Sequence, residues 1–171
     1  EVGKYLHVRV IPEMRFFPDD TLDKVYHLEE VFEEIHAEQQ QQPMLQLSFG
    51  ELVTALRESN VFYLACHENP DGDALGTMLA MRLLLLEMGK TSVTCAVADP
   101  IPLMYQELPG AKKIVNAEAE TPDYDLAILL DCGRRDRLGA VAENIVPGKR
   151  LLIIDHHLES GEPGASGFID A

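Results

Sequence analysis

Val61-Phe62-Tyr63-Leu64-Ala65-Cys66-His67-Glu68-Asn69-Pro70-Asp71-Gly72-Asp73-Ala74-Leu75-Gly76 is the stretch on which the fold turns. Its first six residues are apolar without interruption, as a short strand buried on both faces is. The polar residues behind them end the strand. Ala74 to Met88 then reads as a strongly apolar helix stopped by Gly89, and Ser92 to Val97 as a second strand. Strand, helix and strand in that order form the unit of a parallel sheet. Gly72 is expected to let the chain turn tightly between Asp71 and Asp73, and Gly76 to bring the helix close to its strand.

The same alternation continues outward. Downstream come a helix-like Pro102 to Leu108, a short apolar piece from Lys113 to Val115, a strand from Leu126 to Leu130, a helix from Leu138 to Ile145 and a strand from Leu151 to Ile154. Upstream, Ser48-Phe49-Gly50-Glu51 is a capping box before a helix carrying Leu52, Val53 and Leu56. Residues 48–171 are therefore expected to form an α/β domain with a doubly wound, mostly parallel sheet.

Before it, residues 39–47 read as a linker opening on Gln39-Gln40-Gln41-Gln42-Pro43. Residues 1–38 hold one alternating strand, Tyr5 to Ile11, and one amphipathic helix capped by Asp20 with Leu22, Val25, Leu28, Phe32 and Ile35 at helical spacing. Two elements cannot bury a core alone, so this partial α+β segment is expected to be the end of a domain that begins upstream.

Lys plus Arg number 14 against 29 Asp plus Glu, a net charge of −15, which argues against a broad surface for long nucleic acid. A nucleic-acid substrate would be short or gripped locally. The 3 cysteines, Cys66, Cys95 and Cys132, lie in or beside apolar runs, as reduced core thiols of a cytoplasmic protein would. No apolar stretch is long enough to span a membrane. Gly89-Lys90-Thr91 lacks the upstream glycine of a phosphate-binding loop, since Leu84 stands there.

Ligands of open α/β sheets bind outside the carboxyl ends of the strands. Three strands deliver polar groups there: His67, Asp71 and Asp73 after the first, Asp131 after Leu130, and Asp155, His156 and His157 after Ile154. So many acids cannot all stay ionised together without cations, because like charges raise one another's pKa. Imidazole mixed with carboxylate suits Mn²⁺, Fe²⁺, Co²⁺ or Zn²⁺ better than the water-rich oxygen shell of Mg²⁺. Two divalent ions, Mn²⁺ before Mg²⁺, Co²⁺ or Zn²⁺, are expected roughly 3.5–4 Å apart, a spacing that activates water for in-line attack on a phosphoryl group. The N-terminus of the helix near Ala74 would add N–H groups for the anion. Single acids at strand ends are common caps, and only the coincidence of three such sites points to metal. Asp155 is either a ligand or the carboxylate that orients an imidazole. His157 is expected to touch phosphate, and so is Arg137, whereas Arg134 and Arg135 read as a solvated loop.

With its motifs His67-x-x-Pro70-Asp71-Gly72-Asp73-Ala74-Leu75-Gly76-Thr77, Leu129-Leu130-Asp131-Cys132-Gly133 with Arg137-Leu138-Gly139 behind it, and Ile153-Ile154-Asp155-His156-His157, the segment from about Ser48 to Asp170 resembles the DHH phosphoesterases. The wording of the first motif is most similar to the branch of RecJ-like enzymes that holds nanoRNases and 3′-phosphoadenosine 5′-phosphate phosphatases. The resemblance implies that His67 and Asp71 hold one ion, Asp73 and His156 the other, that Asp131 bridges them, and that His157 contacts the scissile phosphate. The family also has a later metal-ligating aspartate and a glycine-rich substrate domain, neither of which is expected within this chain; Asp170 lies too near His157 and reads as a loop residue. Leu6 to Leu22 is similar to the last strand and helix entry of ribosome-binding factor A, a KH-like fold, and implies a fusion with a ribosome maturation factor.

The expected function is thus hydrolysis of short oligoribonucleotides or nucleotide 3′,5′-bisphosphates by a two-metal phosphoesterase, with Asp131, His156 and His157 at the chemistry. Its expected partners are the short RNA or nucleotide itself, the small ribosomal subunit through residues 1–38, and a second copy of the chain. The alternatives are a non-catalytic nucleotide- or ribosome-binding module, and an inorganic pyrophosphatase.

Overall fold

The computed structural model describes residues 44–117, 123–157, 161 and 165–170. The chain divides into two compact units, Glu1–Ala37 and Glu38–Ala171. The first lies outside the described residues, and with it the strand, helix and ribosome-binding resemblance expected for residues 1–38.

In the second unit, seven strands pair in parallel in the order β1-β7-β6-β5-β2-β3-β4. They are β1 (Leu45–Gln46), β2 (Val61–Ala65), β3 (Ser92–Val97), β4 (Ile114–Asn116), β5 (Leu126–Leu130), β6 (Arg150–Asp155) and β7 (Ser166–Ile169). From β2 the chain steps outward to β3 and β4, then returns to the other side of β2 and builds β5, β6 and β7. The strand order reverses between β2 and β5, and a crevice opens at such a point above the carboxyl ends of the strands. All five residues of β5 are buried, because it is flanked by strands on both sides and covered on both faces.

Alternate residues serve alternate faces. Phe62, Leu64, Cys66, Ile128, Leu130 and Leu152 pack under helix α1 (Phe49–Glu58) and helix α2 (Gly72–Glu87), which contribute Leu52, Leu56, Leu75, Met78 and Leu85. Tyr63, Ala65, Leu129 and Ile153 pack on the opposite face against Leu138, Val141 and Ile145. The α/β class expected from the sequence is the one found, with a difference in how the second face is covered. The segment expected as a helix from Leu138 to Ile145 is a 3-10 helix over Gly139–Asn144, and the one at Pro102 to Leu108 shortens to a 3-10 turn at Leu103–Tyr105. Leu138 and Val141 are three residues apart, a spacing that a 3-10 helix serves as well as an α-helix, and Gly139 enters at φ 57.

Three further expectations change. Helix α2 starts at Gly72 rather than Ala74 because Asp71 is its N-cap. Gly76 is exposed, and a Cβ there would meet nothing within 4 Å, so it does not serve helix-to-strand packing. A Cβ on Gly72 would stand 3.1 Å from the Tyr105 ring, so this glycine makes room for an aromatic side chain over the helix start. Strands β1 and β7 carry no pattern that marks them in the sequence. No helix among the described residues is long and apolar enough to cross a membrane.

Candidate metal centre

Residues from the ends of β2, β5 and β6 meet above the switch point. After β2, His67 directs Nε2 toward Asp71 Oδ1 at 3.9 Å and Asp131 Oδ2 at 3.7 Å. Its other ring nitrogen, Nδ1, lies 2.7 Å from the carbonyl oxygen of Glu68. A carbonyl only accepts, so Nδ1 carries a proton and Nε2 is the ring nitrogen turned to the acids.

Asp71 sits at the junction of loop and helix. Its Oδ1 accepts from the backbone N–H groups of Asp73 and Ala74, both at 3.0 Å, and the Ala74 bond above all holds its carboxyl below the usual carboxylate range. The N–H groups expected to greet an anion at this helix end are therefore taken by the Asp71 side chain, because a local Asx cap outcompetes a ligand from solution. Asp73, in the first turn of the helix, places Oδ2 3.6 Å from His156 Nε2.

Asp131 comes directly after the last residue of β5 and turns left-handed, φ 53, while its N–H still bonds Ile154 O at 3.1 Å. That conformation costs about 1 kcal/mol for a residue with a Cβ, less for Asp than for most. It carries the carboxylate into the middle of the cluster, 6% exposed. Oδ1 lies 3.3 Å from His156 Nε2 and 3.6 Å from His157 Nδ1, is buried, and has no hydrogen-bond partner. Burial pushes this carboxyl up, and the charge of Asp73 adds to the push. A buried carboxylate oxygen that faces imidazole nitrogens without a hydrogen bond from any of them is the arrangement a divalent cation would satisfy.

Asp155 stands directly behind the cluster, among local donors. One oxygen, Oδ1, accepts from the N–H of His156 at 2.7 Å, the N–H of His157 at 3.3 Å and Nδ1 of His157 at 2.7 Å. Three donors meet on this one oxygen, which fixes the His157 ring from Nδ1, and the bond to Asp155 raises the pKa of that imidazole. Arg137 lies close enough to His157 to oppose that protonation. Its guanidinium is exposed, and its carbonyl accepts from Glu68 N–H at 2.7 Å. Arg134 pairs with Asp136 at 2.6 Å on the surface, in keeping with a solvated loop.

Two sets of donors result, each with ligand atoms within 4.8 Å of one another: His67, Asp71 and Asp131, and Asp131, Asp155, His156 and His157. Asp131 is common to both, and Asp73 joins the second through His156. Residues that sequence reasoning passes over hold the loop from His67 to Asp71 in place. Asn69 has φ 51 and gives its N–H to Asp99 Oδ2 at 2.8 Å. Gly139 lets the segment after β5 pass Ala98 and Glu68, which a Cβ would meet at 3.0 and 3.2 Å. In the sequence Gly139 falls inside the helix expected from Leu138 to Ile145; nothing local marks Asp99.

An all-parallel α/β sheet with paired imidazole–carboxylate groups on one rim defines a class of metal-binding folds, and comparison with known proteins narrows it. Residues 61–170 match the DHH family, N-terminal domain, and the chain belongs to that family. A bifunctional oligoribonuclease and PAP phosphatase, NrnA of Thermus thermophilus, is 32% identical over 96 residues, covering 56% of this chain and 27% of the relative. An exopolyphosphatase-related protein from Bacteroides fragilis superposes with a TM-score of 0.63 at 20% identity, over 70% of this chain and 37% of that one, a likeness of fold. The chain thus spans 27% and 37% of the lengths of these two proteins.

Proposed function

We propose that this chain contributes the metal-binding centre of a phosphoesterase that hydrolyses short oligoribonucleotides or nucleotide 3′,5′-bisphosphates with the help of two divalent ions, Mn²⁺ foremost. The observation that carries the reading is the buried Asp131 carboxylate, shared by two donor groups and lacking a hydrogen-bond partner at Oδ1. His67 and Asp71 would hold one ion, Asp73 and His156 the other, with Asp131 between them. Such ions, when bound, supply Lewis-acid polarisation of a phosphoryl oxygen and neutralise the charge of the acids.

The chain's own residues do the rest. Asp155 fixes the His157 ring through Nδ1, which leaves Nε2 to face a phosphate oxygen, as donor when the ring is protonated. Arg137, exposed beside it, can close on the same phosphate with a fork of N–H donors. The surplus of acid over base argues against a broad basic surface, which favours a short substrate over a long one. The name of the Thermus relative supports the choice of substrate class. Docking on the small ribosomal subunit through residues 1–38 belongs to the proposal on their sequence alone.

The test is hydrolysis of a labelled diribonucleotide, of 3′-phosphoadenosine 5′-phosphate and of pyrophosphate, with Mn²⁺, after chelation, and after Mn²⁺ is restored. Turnover of the first two that is lost and regained with the ion is expected. Release of phosphate from pyrophosphate alone would replace the reading with a pyrophosphatase, and no metal-dependent turnover in the full-length protein would leave only a binding module.

A further inference from the structure

The peptide unit between Glu68 and Asn69 is held from both ends. Its carbonyl oxygen lies 2.7 Å from Nδ1 of His67, and its N–H lies 2.8 Å from Oδ2 of Asp99. Asp99 stands just beyond β3, the strand next to β2, and is half-buried. It is in neither donor group. We infer that Asp99 is a positioning residue for His67, acting through this one peptide: the carboxylate anchors the amide, and the amide carbonyl fixes the tautomer and plane of the imidazole.

Three effects act together. First, an imidazole that binds a cation through Nε2 is held in place by what its Nδ1–H meets, and here that acceptor is a backbone carbonyl rather than a carboxylate. Second, a peptide whose N–H bonds to an anion is polarised so that its carbonyl oxygen becomes a stronger acceptor, which makes the two hydrogen bonds mutually reinforcing. Third, Asn69 sits at φ 51, a left-handed conformation that free chains seldom hold. A charge-assisted bond to the N–H of that same residue is what keeps it there. The adjoining N–H, that of Glu68, is pinned to Arg137 O at 2.7 Å, so the loop has two tethers, one from the segment after each neighbouring strand of β2. Among the described residues, Asp99 is the one that reaches the N–H of the peptide on which the imidazole leans. The effect is confined to the donor group of His67 and Asp71, because Asp73 and His156 are set by helix α2 and by β6.

This inference rests on the reading of the rim as a metal centre, yet it can be tested without any ion. Long-range proton–nitrogen NMR of the metal-free chain should show His67 in the Nδ1–H tautomer, and Asp99→Ala should shift it to a mixture, with Asp99→Asn in between because an amide oxygen can still accept. Titration of Mn²⁺ by calorimetry should then show the ion at the His67 group weakened by roughly 10-fold in Asp99→Ala, and the other ion unchanged. A His67 tautomer and affinities in Asp99→Ala equal to those of the wild type would overturn the inference, as would equal weakening of both ions in step with a fall in Tm. Wild-type protein that binds no Mn²⁺ would sink the proposed function, and the tautomer comparison would still decide the role of Asp99.

Discussion

At the amino ends of the strands, charged groups are tied into the fold. Asp125 accepts from the N–H groups of Asn60 and Val61 at 2.8 and 2.9 Å, and Lys90 donates to the carbonyl oxygens of Arg57 and Ser59 at 2.7 and 2.6 Å, where helix α1 ends. Lys149 pairs with Asp123, and Arg150 approaches Glu58 at 3.9 Å. At the carboxyl ends Asp71, Asp73 and Asp131 instead face three imidazoles at 3.3 to 3.9 Å, Asp131 keeps an oxygen without a partner, and two non-glycine residues, Asn69 and Asp131, take positive φ. One rim is arranged for stability, with each anion answered by a donor. The other holds a carboxylate oxygen without a donor and strained backbone, features that concentrate at functional sites.

Exchanging a group between the two kinds of rim should separate function from stability. The largest effect is expected for Asp131→Asn. Asparagine tolerates the left-handed backbone and keeps the volume, so folding is preserved while the shared anionic ligand is lost. Metal-dependent hydrolysis should fall by about 100-fold or more, close to 3 kcal/mol of transition-state stabilisation. In the metal-free protein, Tm at neutral pH should hold or rise. The sign comes from the raised carboxyl: the folded metal-free state takes up a proton more readily than the unfolded chain, so stability is greatest below the unfolded pKa and is lost as pH climbs through the folded one. A clear fall in metal-free Tm would show that Asp131 is a structural residue and break the contrast.

Asp125→Ala should do the reverse, with a smaller effect. Hydrogen bonds from the Asn60 and Val61 N–H groups hold the Asp125 carboxyl below its ordinary range. Its contribution to stability is therefore present above the unfolded pKa and disappears as pH falls through the folded one. Denaturation at neutral pH should show the variant less stable than the wild type, and the gap should close in acid, while Mn²⁺ affinity is unaltered. A loss of Mn²⁺ binding would mean that the two rims are coupled.

Between the rims the sheet is sealed, and the smallest effect is expected there. Cys66, directly behind His67, and Cys95 are buried, and burial pushes both thiols up to about 12; Cys132 is buried and raised as well. None should react with a thiol-specific disulfide reagent near pH 8 until denaturant is added, since the thiolate is the reactive species. Prompt labelling of native protein would reveal an opening beneath the centre.

Legibility in the sequence depends on range. Strands β2, β5 and β6 announce themselves because a strand in the middle of a parallel sheet is buried on both faces and must be apolar throughout. Strand β7, Ser166–Ile169, carries no such run; pairing with β6 makes it a strand, and Gly167 leaves room for the Met44 side chain. The 3-10 helix at Gly139–Asn144 reads as α in the sequence because three-residue spacing is shared by both kinds of helix over so short a span. Among the site residues, local pattern supplies His67, Asp71, Asp73, Asp131, Asp155, His156 and His157, all of which the fold gathers on one rim.

Sequence determined without help the kind of residue that stands at the end of each strand, since in a parallel sheet every strand delivers the residues behind it to the same edge. Tertiary structure alone decided which of those groups face one another, that Asp155 spends one oxygen on three donors, that Asp71 caps its own helix, and that Asp99 grips the loop from the neighbouring strand. The reason is that a strand end is fixed by a few consecutive residues, whereas a hydrogen bond between residues 30 apart exists only once strand order and register have been set by packing.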